Sequence, residues 1–125
     1  MTEEALIIES TLTDAERREY ERYSANFYLC VYNPLTNGLL GHVIDISIGG
    51  IKLLHKEPIP VGQSMPIRME AALESGLRET IELSATAMWT GMDDNADSYN
   101  TGFKFLELSL TAQQSLKNII AELSG

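Results

Sequence analysis

A chain of 125 residues with one cysteine, Cys30, cannot form an intramolecular disulfide. The setting of Cys30, in Phe27-Tyr28-Leu29-Cys30-Val31-Tyr32, points to a small packed side chain rather than a reactive thiolate. No apolar run approaches the length of a membrane span. Basic residues are scarce, nine Lys and Arg against 18 Asp and Glu, for a net charge of −9. Broad binding to DNA, RNA or an anionic membrane depends on many phosphate contacts from Lys and Arg, so neither nucleic acid nor membrane is expected as a partner. The two histidines, His42 and His55, have no carboxylate or cysteine spacing that makes a metal site. Asp93 and Asp94 are adjacent on a polar stretch that lacks the ligand spacing of a calcium loop and the geometry of an acid–base pair. No nucleophile set accompanies them, so the chain does not read as an enzyme, and no cofactor is expected. Met1 to Thr13 carries Glu3, Glu4 and Glu9 without a basic n-region, which is not a secretory signal. With the lone cysteine, this gives a cytoplasmic expectation.

A chain of this length buries about two-thirds of its unfolded surface, enough for one domain without disulfide or metal support. Residues 27–32 alternate, with Phe27, Leu29 and Val31 on one face and Tyr28, Cys30 and Tyr32 on the other. Pro34-Leu35-Thr36-Asn37-Gly38 supplies turn chemistry, and a second strand over 40–46 completes an antiparallel hairpin. Gly49-Gly50 makes the next bend, after which Ile51, Leu53 and His55 alternate with Lys52 and Leu54. Strands follow around 65–70, with Pro66 near an edge or start, and over 80–90, with Ile81, Leu83, Ala85, Ala87 and Trp89 on one face. Glu74-Ser75-Gly76 forms the hairpin tip between them, and a last strand covers 99–106. Thr111-Ala112-Gln113-Gln114 matches a capping box, and Leu116, Ile119, Ile120 and Leu123 recur at helical spacing. That helix is expected to cover an open end of the sheet. Several short strands at regular spacing with one helix indicate a small β-barrel.

Two segments carry chemistry. Arg18-Glu19-Tyr20-Glu21-Arg22, preceded by Arg17, places three of the nine basic residues within six positions. The guanidinium fork engages a phosphate bidentately, or O6 and N7 of guanine. The bland alternative is an exposed helix, opened by a capping box at Thr13-Asp14-Ala15-Glu16, whose arginines pair with Asp14, Glu19 or Glu21. In Asp45-Ile46-Ser47-Ile48-Gly49-Gly50, Asp45 and Ser47 lie two apart and share a face if the strand continues through them. An ionised Asp45 accepts hydrogen bonds from guanine N1 and N2, Ser47 donates or accepts, and Gly50 allows close approach. Taken alone, Asp-x-Ser-x-Gly-Gly is equally a plain turn.

Together the R-x-x-x-R segment and the D-x-S-x-x-G segment resemble the signature of PilZ domains, bacterial receptors for cyclic di-GMP. Gly102-Phe103-Lys104-Phe105, preceded by Tyr99 and followed by the helix, resembles the family's late G-x-x-F strand. The resemblance implies a mainly β fold, a six-stranded antiparallel PilZ-like barrel with a C-terminal helix over residues 16–125, after a flexible N-terminal arm at 1–15. It implies a ligand site built from Arg17, Arg18, Arg22, Asp45, Ser47, Gly49 and Gly50. An arginine directly before the motif resembles family members that bind two stacked nucleotides. The function expected is a cyclic di-GMP receptor whose arm changes conformation on binding and signals to a protein partner. The alternative is a ligand-independent adaptor of the same fold.

Overall fold

Alternation of apolar and polar residues becomes strand wherever turn residues bound it. In the computed structural model the described residues are 23–24, 29–92 and 97–124. The arm, the arginine segment with its capping box, Phe27, Tyr28 and residues 93–96 lie outside them. The strands are β1 (Tyr23–Ser24), β2 (Leu29–Tyr32), β3 (Leu39–Ile46), β4 (Gly50–His55), β5 (Ser64–Ala72), β6 (Arg78–Met92) and β7 (Tyr99–Phe105), and the helix is α1 (Leu110–Ser124). All pairings are antiparallel, in the order β3-β2-β5-β6-β7-β4, with β4 pairing back onto β3. The six longer strands therefore close into a barrel, which removes exposed sheet edges. The two-residue β1 adds to β3 at its C-terminal end, pairing Tyr23 with Ile46 and Ser24 with Asp45.

Leu29, Val31, Val43, Leu53, Ile67, Met69, Ile81 and Ala85 point inward and form one core with Leu116 and Ile119 of α1. The helix therefore extends the barrel core, as its apolar spacing requires. Its cap differs from expectation. Ser109, not Thr111, opens the helix, its Oγ accepting from the Ala112 amide at 3.0 Å and its carbonyl from the Gln113 amide at 2.9 Å. The cap therefore lies two residues before the Thr-x-x-Gln match, and Thr111 falls within the first turn of the helix.

Pro66 sits inside β5, not at its start. It is tolerated because β2 pairs only with Arg68 to Ala71, so one edge of β5 at Pro66 has no ladder partner. Cys30 is half-buried rather than fully packed, and its Sγ lies 3.5 Å from His42 Nδ1 across the β2–β3 pair. Arg68 spans strand and turn, with Nη1 donating to Asn37 Oδ1, Nε to Glu70, and the guanidinium over the Tyr32 ring. Among the described residues no helix is long and apolar enough to cross a membrane.

His55 is the polar member of the inward face of β4. It is buried, its Nδ1 is 2.7 Å from the Glu57 carbonyl and its Nε2 is 2.6 Å from Thr101 Oγ1, which in turn meets Thr90 Oγ1 at 3.0 Å. The Tyr99 ring stacks on it. Burial lowers the His55 pKa from 6.5, with the hydrogen bond to Glu57 opposing the shift. A histidine depressed in the folded state resists protonation there, so its contribution is intact above about pH 6.5 and is lost as pH falls through the folded value. Urea midpoints measured from neutral to acid pH are expected to fall across that window. His55→Gln, which keeps a donor and an acceptor without the titration, is expected to flatten this part of the profile.

Candidate functional site

Barrel pairing converts residues distant in sequence into rows across the outer face. Asp45 on β3 is opposite Lys52 on β4, Lys52 is opposite Gly102 on β7, and Gly102 is opposite Trp89 on β6. On the other side of Asp45 stands Ser24 of β1. The neighbouring outward row runs from Gly50 to Lys104 and Thr86. A carboxylate, an ammonium, a glycine and the indole that covers it thus lie on four consecutive strands, with a second cation one row away.

Lys52 and Asp45 form an ion pair with an N···O separation of 3.9 Å. The Lys52 side chain is 6% exposed and that of Asp45 29%. Alternation from Ile51 and Leu53 correctly turns Lys52 away from the core. Its burial on the outer face was not legible, because it depends on what stands on the neighbouring strands. The adjacent position on β7 is a glycine, and a Cβ at Gly102 would collide with the Trp89 indole. The ring therefore lies over Gly102, the residue opposite Lys52 on β7. A bulge between Ala87 and Trp89 lets Trp89 reach this face, since without the extra residue at Met88 the inward-to-outward alternation of β6 would turn it into the core. The expectation that Trp89 shares a face with Ile81, Leu83, Ala85 and Ala87 is corrected by that bulge.

The segment 47–50 is a tight turn. The Ser47 amide donates to the Gly50 carbonyl at 2.9 Å, the Gly49 amide donates to Ser47 Oγ at 3.2 Å, and the Phe105 amide donates to the Gly49 carbonyl at 2.9 Å. β3 ends at Ile46, so Ser47 does not continue the face of Asp45 along a strand. It is buried, and its hydroxyl is engaged by the turn, also lying 3.4 Å from the Gly50 carbonyl. A Cβ at Gly50 would run into the Phe103 carbonyl oxygen, so glycine there permits β4 to lie against β7.

The structure brings Asp45, Ser47, Gly49 and Gly50 together at one end of the β3–β4 hairpin. Arg17, Arg18 and Arg22 lie outside the described residues. The chain nevertheless enters at this place, since Tyr23, the residue after Arg22, pairs with Ile46. Lys52, Gly102 and Lys104 are the neighbours that sequence reasoning did not assemble into the site, whereas Trp89 reads from the sequence as a core or barrel-rim aromatic able to contact a base. The usable signal was the period of two running from Gly50 through Lys52, which sets both on the outward face. Among the described residues no group of three or more His, Cys, Asp or Glu is placed to hold a metal.

Comparison with known proteins agrees with this architecture. No curated protein sequence matches the chain. Among solved structures, the PilZ domain of YcgR from Escherichia coli with c-di-GMP aligns at a TM-score of 0.61 and 24% identity, covering 86% of this chain and 92% of that one. The PilZ domain of CeSA from a cellulose-synthesising bacterium aligns at 0.59 and 20%, covering 84% and 99%. The MrkH–c-di-GMP complex of K. pneumonia aligns at 0.67 and 18%, covering 86% of this chain. This chain spans nearly all of the isolated domains but about half of the longer ones, 52% of MrkH and 46% of the longer YcgR chain. At these identities the likeness establishes the fold. The PilZ domain family model matches residues 16–122, most of the sequence, and the chain therefore belongs to the PilZ domain family.

Proposed function

We propose that this domain is a receptor for cyclic di-GMP, binding it where β1 joins the end of the β3–β4 hairpin. One observation carries the reading: β1 lays Ser24 against Asp45, so the residues just after R-x-x-x-R are strand partners of D-x-S-x-x-G. In this reading Arg17, Arg18 and Arg22 hold phosphates and the guanine O6/N7 edge. Asp45 accepts from guanine N1 and N2. Ser47, Gly49 and Gly50 present a closed turn that allows the ligand close approach. The YcgR and MrkH relatives, whose structures contain c-di-GMP, support the same ligand class. One molecule or two stacked molecules fit the presence of Arg17 directly before the motif.

Ordering of the N-terminal arm on the ligand is the proposed output, presented to a protein partner. Its support is compositional: Met1 to Arg22 is rich in charge, with closely spaced arginines that repel unless an anion lies between them. The adaptor reading draws on a different feature, the exposed Val61, Met88 and Met92. The 60–63 connection hydrogen-bonds to Ala87, so Val61 and Met88 are brought near one another.

Isothermal titration is expected to show binding of cyclic di-GMP that weakens as salt rises, because charge-assisted arginine contacts are screened. Absence of heat and of any nucleotide-dependent melting shift at high ligand concentration would favour the adaptor. Arg18→Ala and Arg22→Ala are each expected to lose about 2 kcal/mol or more of binding. Asp45→Ala should lose less and Lys117→Ala, on the exposed side of α1, nothing. Ser47→Ala acts through the turn and is expected to lower stability as well as affinity, read by parallel urea melts. In hydrogen exchange, residues 17–22 are expected to gain protection on nucleotide addition while Thr80 to Trp89 changes little.

A further inference from the structure

A strand edge without a neighbour presents a row of backbone donors and acceptors that another strand can take up. On β5 the stretch before Arg68 has no partner on the β2 side, and Pro66 guards it by removing a donor. A second stretch, on β6, has no such guard. β6 pairs with β5 only as far as Thr86. The last bonds on that edge are made by Ala87, whose amide donates to the Gln63 carbonyl at 3.0 Å and whose carbonyl accepts from the Gly62 amide at 2.7 Å. β6 nevertheless runs on to Met92, and among the described strands only β7 pairs with this extension. Met88-Trp89-Thr90-Gly91-Met92 therefore has one open edge, and it contains neither proline nor charge. Met88, Thr90 and Met92 are exposed, the two methionines by 50% and 61%. Val61, on the connection bonded to Ala87, is exposed as well.

The side chains of this edge decide what it accepts. Methionine stands at both ends of the segment and threonine at its centre, so the segment is complementary to itself when run antiparallel. With Thr90 at the centre, Thr90 meets Thr90, Trp89 meets Gly91 and Met88 flanks Met92, the last two contacts occurring twice. The indole already lies over one glycine, Gly102 of β7, and in this register the position on its other side is a glycine too. Moving the centre to Trp89 would set indole against indole and shorten the overlap, because the edge at Ala87 is already taken. Charge acts in the same direction. A chain of net charge −9 repels its own copy over most of its surface, whereas this stretch is neutral. Antiparallel pairing also sends the acidic residues that follow Met92 in the sequence out at opposite ends.

We propose that Met88 to Met92 is a self-association edge, through which two copies of the chain join β6 to β6 antiparallel about a two-fold axis at Thr90. Each copy keeps its own pairing with β7, so neither barrel opens. The axis closes the assembly at two copies, since each edge is used once. The outer faces of the two copies, each with its Trp89 ring, then lie on the same side of one joined sheet. The inference is independent of the nucleotide reading. Five residues from each copy make a small interface, so the dimer forms and dissociates with concentration.

Sedimentation of the full chain without nucleotide, from about 10 µM to 1 mM, is expected to show reversible passage from one chain mass to two. Over the same range amide exchange at residues 88–92 should slow, while that at Ser64 to Ile67, the guarded edge, stays unchanged. Met88→Lys with Met92→Lys sets like charges opposite one another twice and should weaken dimerisation about 10-fold or more. Met88→Lys with Met92→Glu sets opposite charges there instead and should dimerise more tightly than the first variant. The first variant is the less negative of the two, so general repulsion would order them the other way. Both positions are exposed, and neither variant touches the core. A single chain mass throughout, with exchange at 88–92 independent of concentration, would overturn the proposal. A dimer equally strong in both variants would place the contact elsewhere and do the same.

Discussion

Pairing of β4 back onto β3 is the constraint on which the rest of the molecule depends. It closes the sheet, and it does so through the turn at Ser47 to Gly50, where the chain has no slack. The Ser47 hydroxyl and amide hold the turn from inside, and the Gly49 carbonyl ties it to Phe105 on β7. Gly50 lets β4 pass the Phe103 carbonyl without collision. The Asp-x-Ser-x-Gly-Gly segment is thus a barrel-closing device, and its polar side chains are placed differently. Asp45 lies before the turn and faces outward, whereas Ser47 is spent within it. This division follows from geometry, since a hydroxyl that satisfies a backbone turn is not equally available to a ligand.

Closure also decides where the few cations of an acidic chain stand. Six of the nine basic residues fall outside the arginine segment, and pairing sets Lys52 and Lys104 in adjacent rows across β4 and β7. Arg68, by contrast, is engaged with Asn37, Glu70 and Tyr32 on β5 and the first hairpin turn. Local concentration of a few cations suits a small anionic ligand better than a polyanion, whose affinity needs many contacts over a broad surface.

The strands and the helix were legible because period and turn chemistry are local properties. Alternation in 29–32, 51–55 and 80–87, with Asn37-Gly38 and Glu74-Ser75-Gly76 between runs, located the elements to within a residue or two. The Ser109 hydroxyl meets the Ala112 amide, so the cap falls on Ser109 rather than Thr111. Where the reading of a face failed, a nonlocal term had won. A bulge at Met88 carried Trp89 to the outer face against its alternation. Pro66, by contrast, sits where β2 does not reach β5, the edge position that its missing N–H favours.

By itself the sequence determined the strand periods, the turn sites, the net charge and the two motifs that identify the family, since each depends on residues adjacent in the chain. Tertiary structure alone decided that Asp45, Lys52, Gly102 and Trp89 stand in one row, and that Ser24 meets Asp45. Those neighbours belong to five strands and are between 7 and 78 positions apart in the chain, at separations set by the register of a closed barrel. A period of two assigns a residue to a face, but only the strands on either side decide whether that face buries it, which is why the sequence sets Lys52 opposite to Ile51 and Leu53 and only the fold shows it buried.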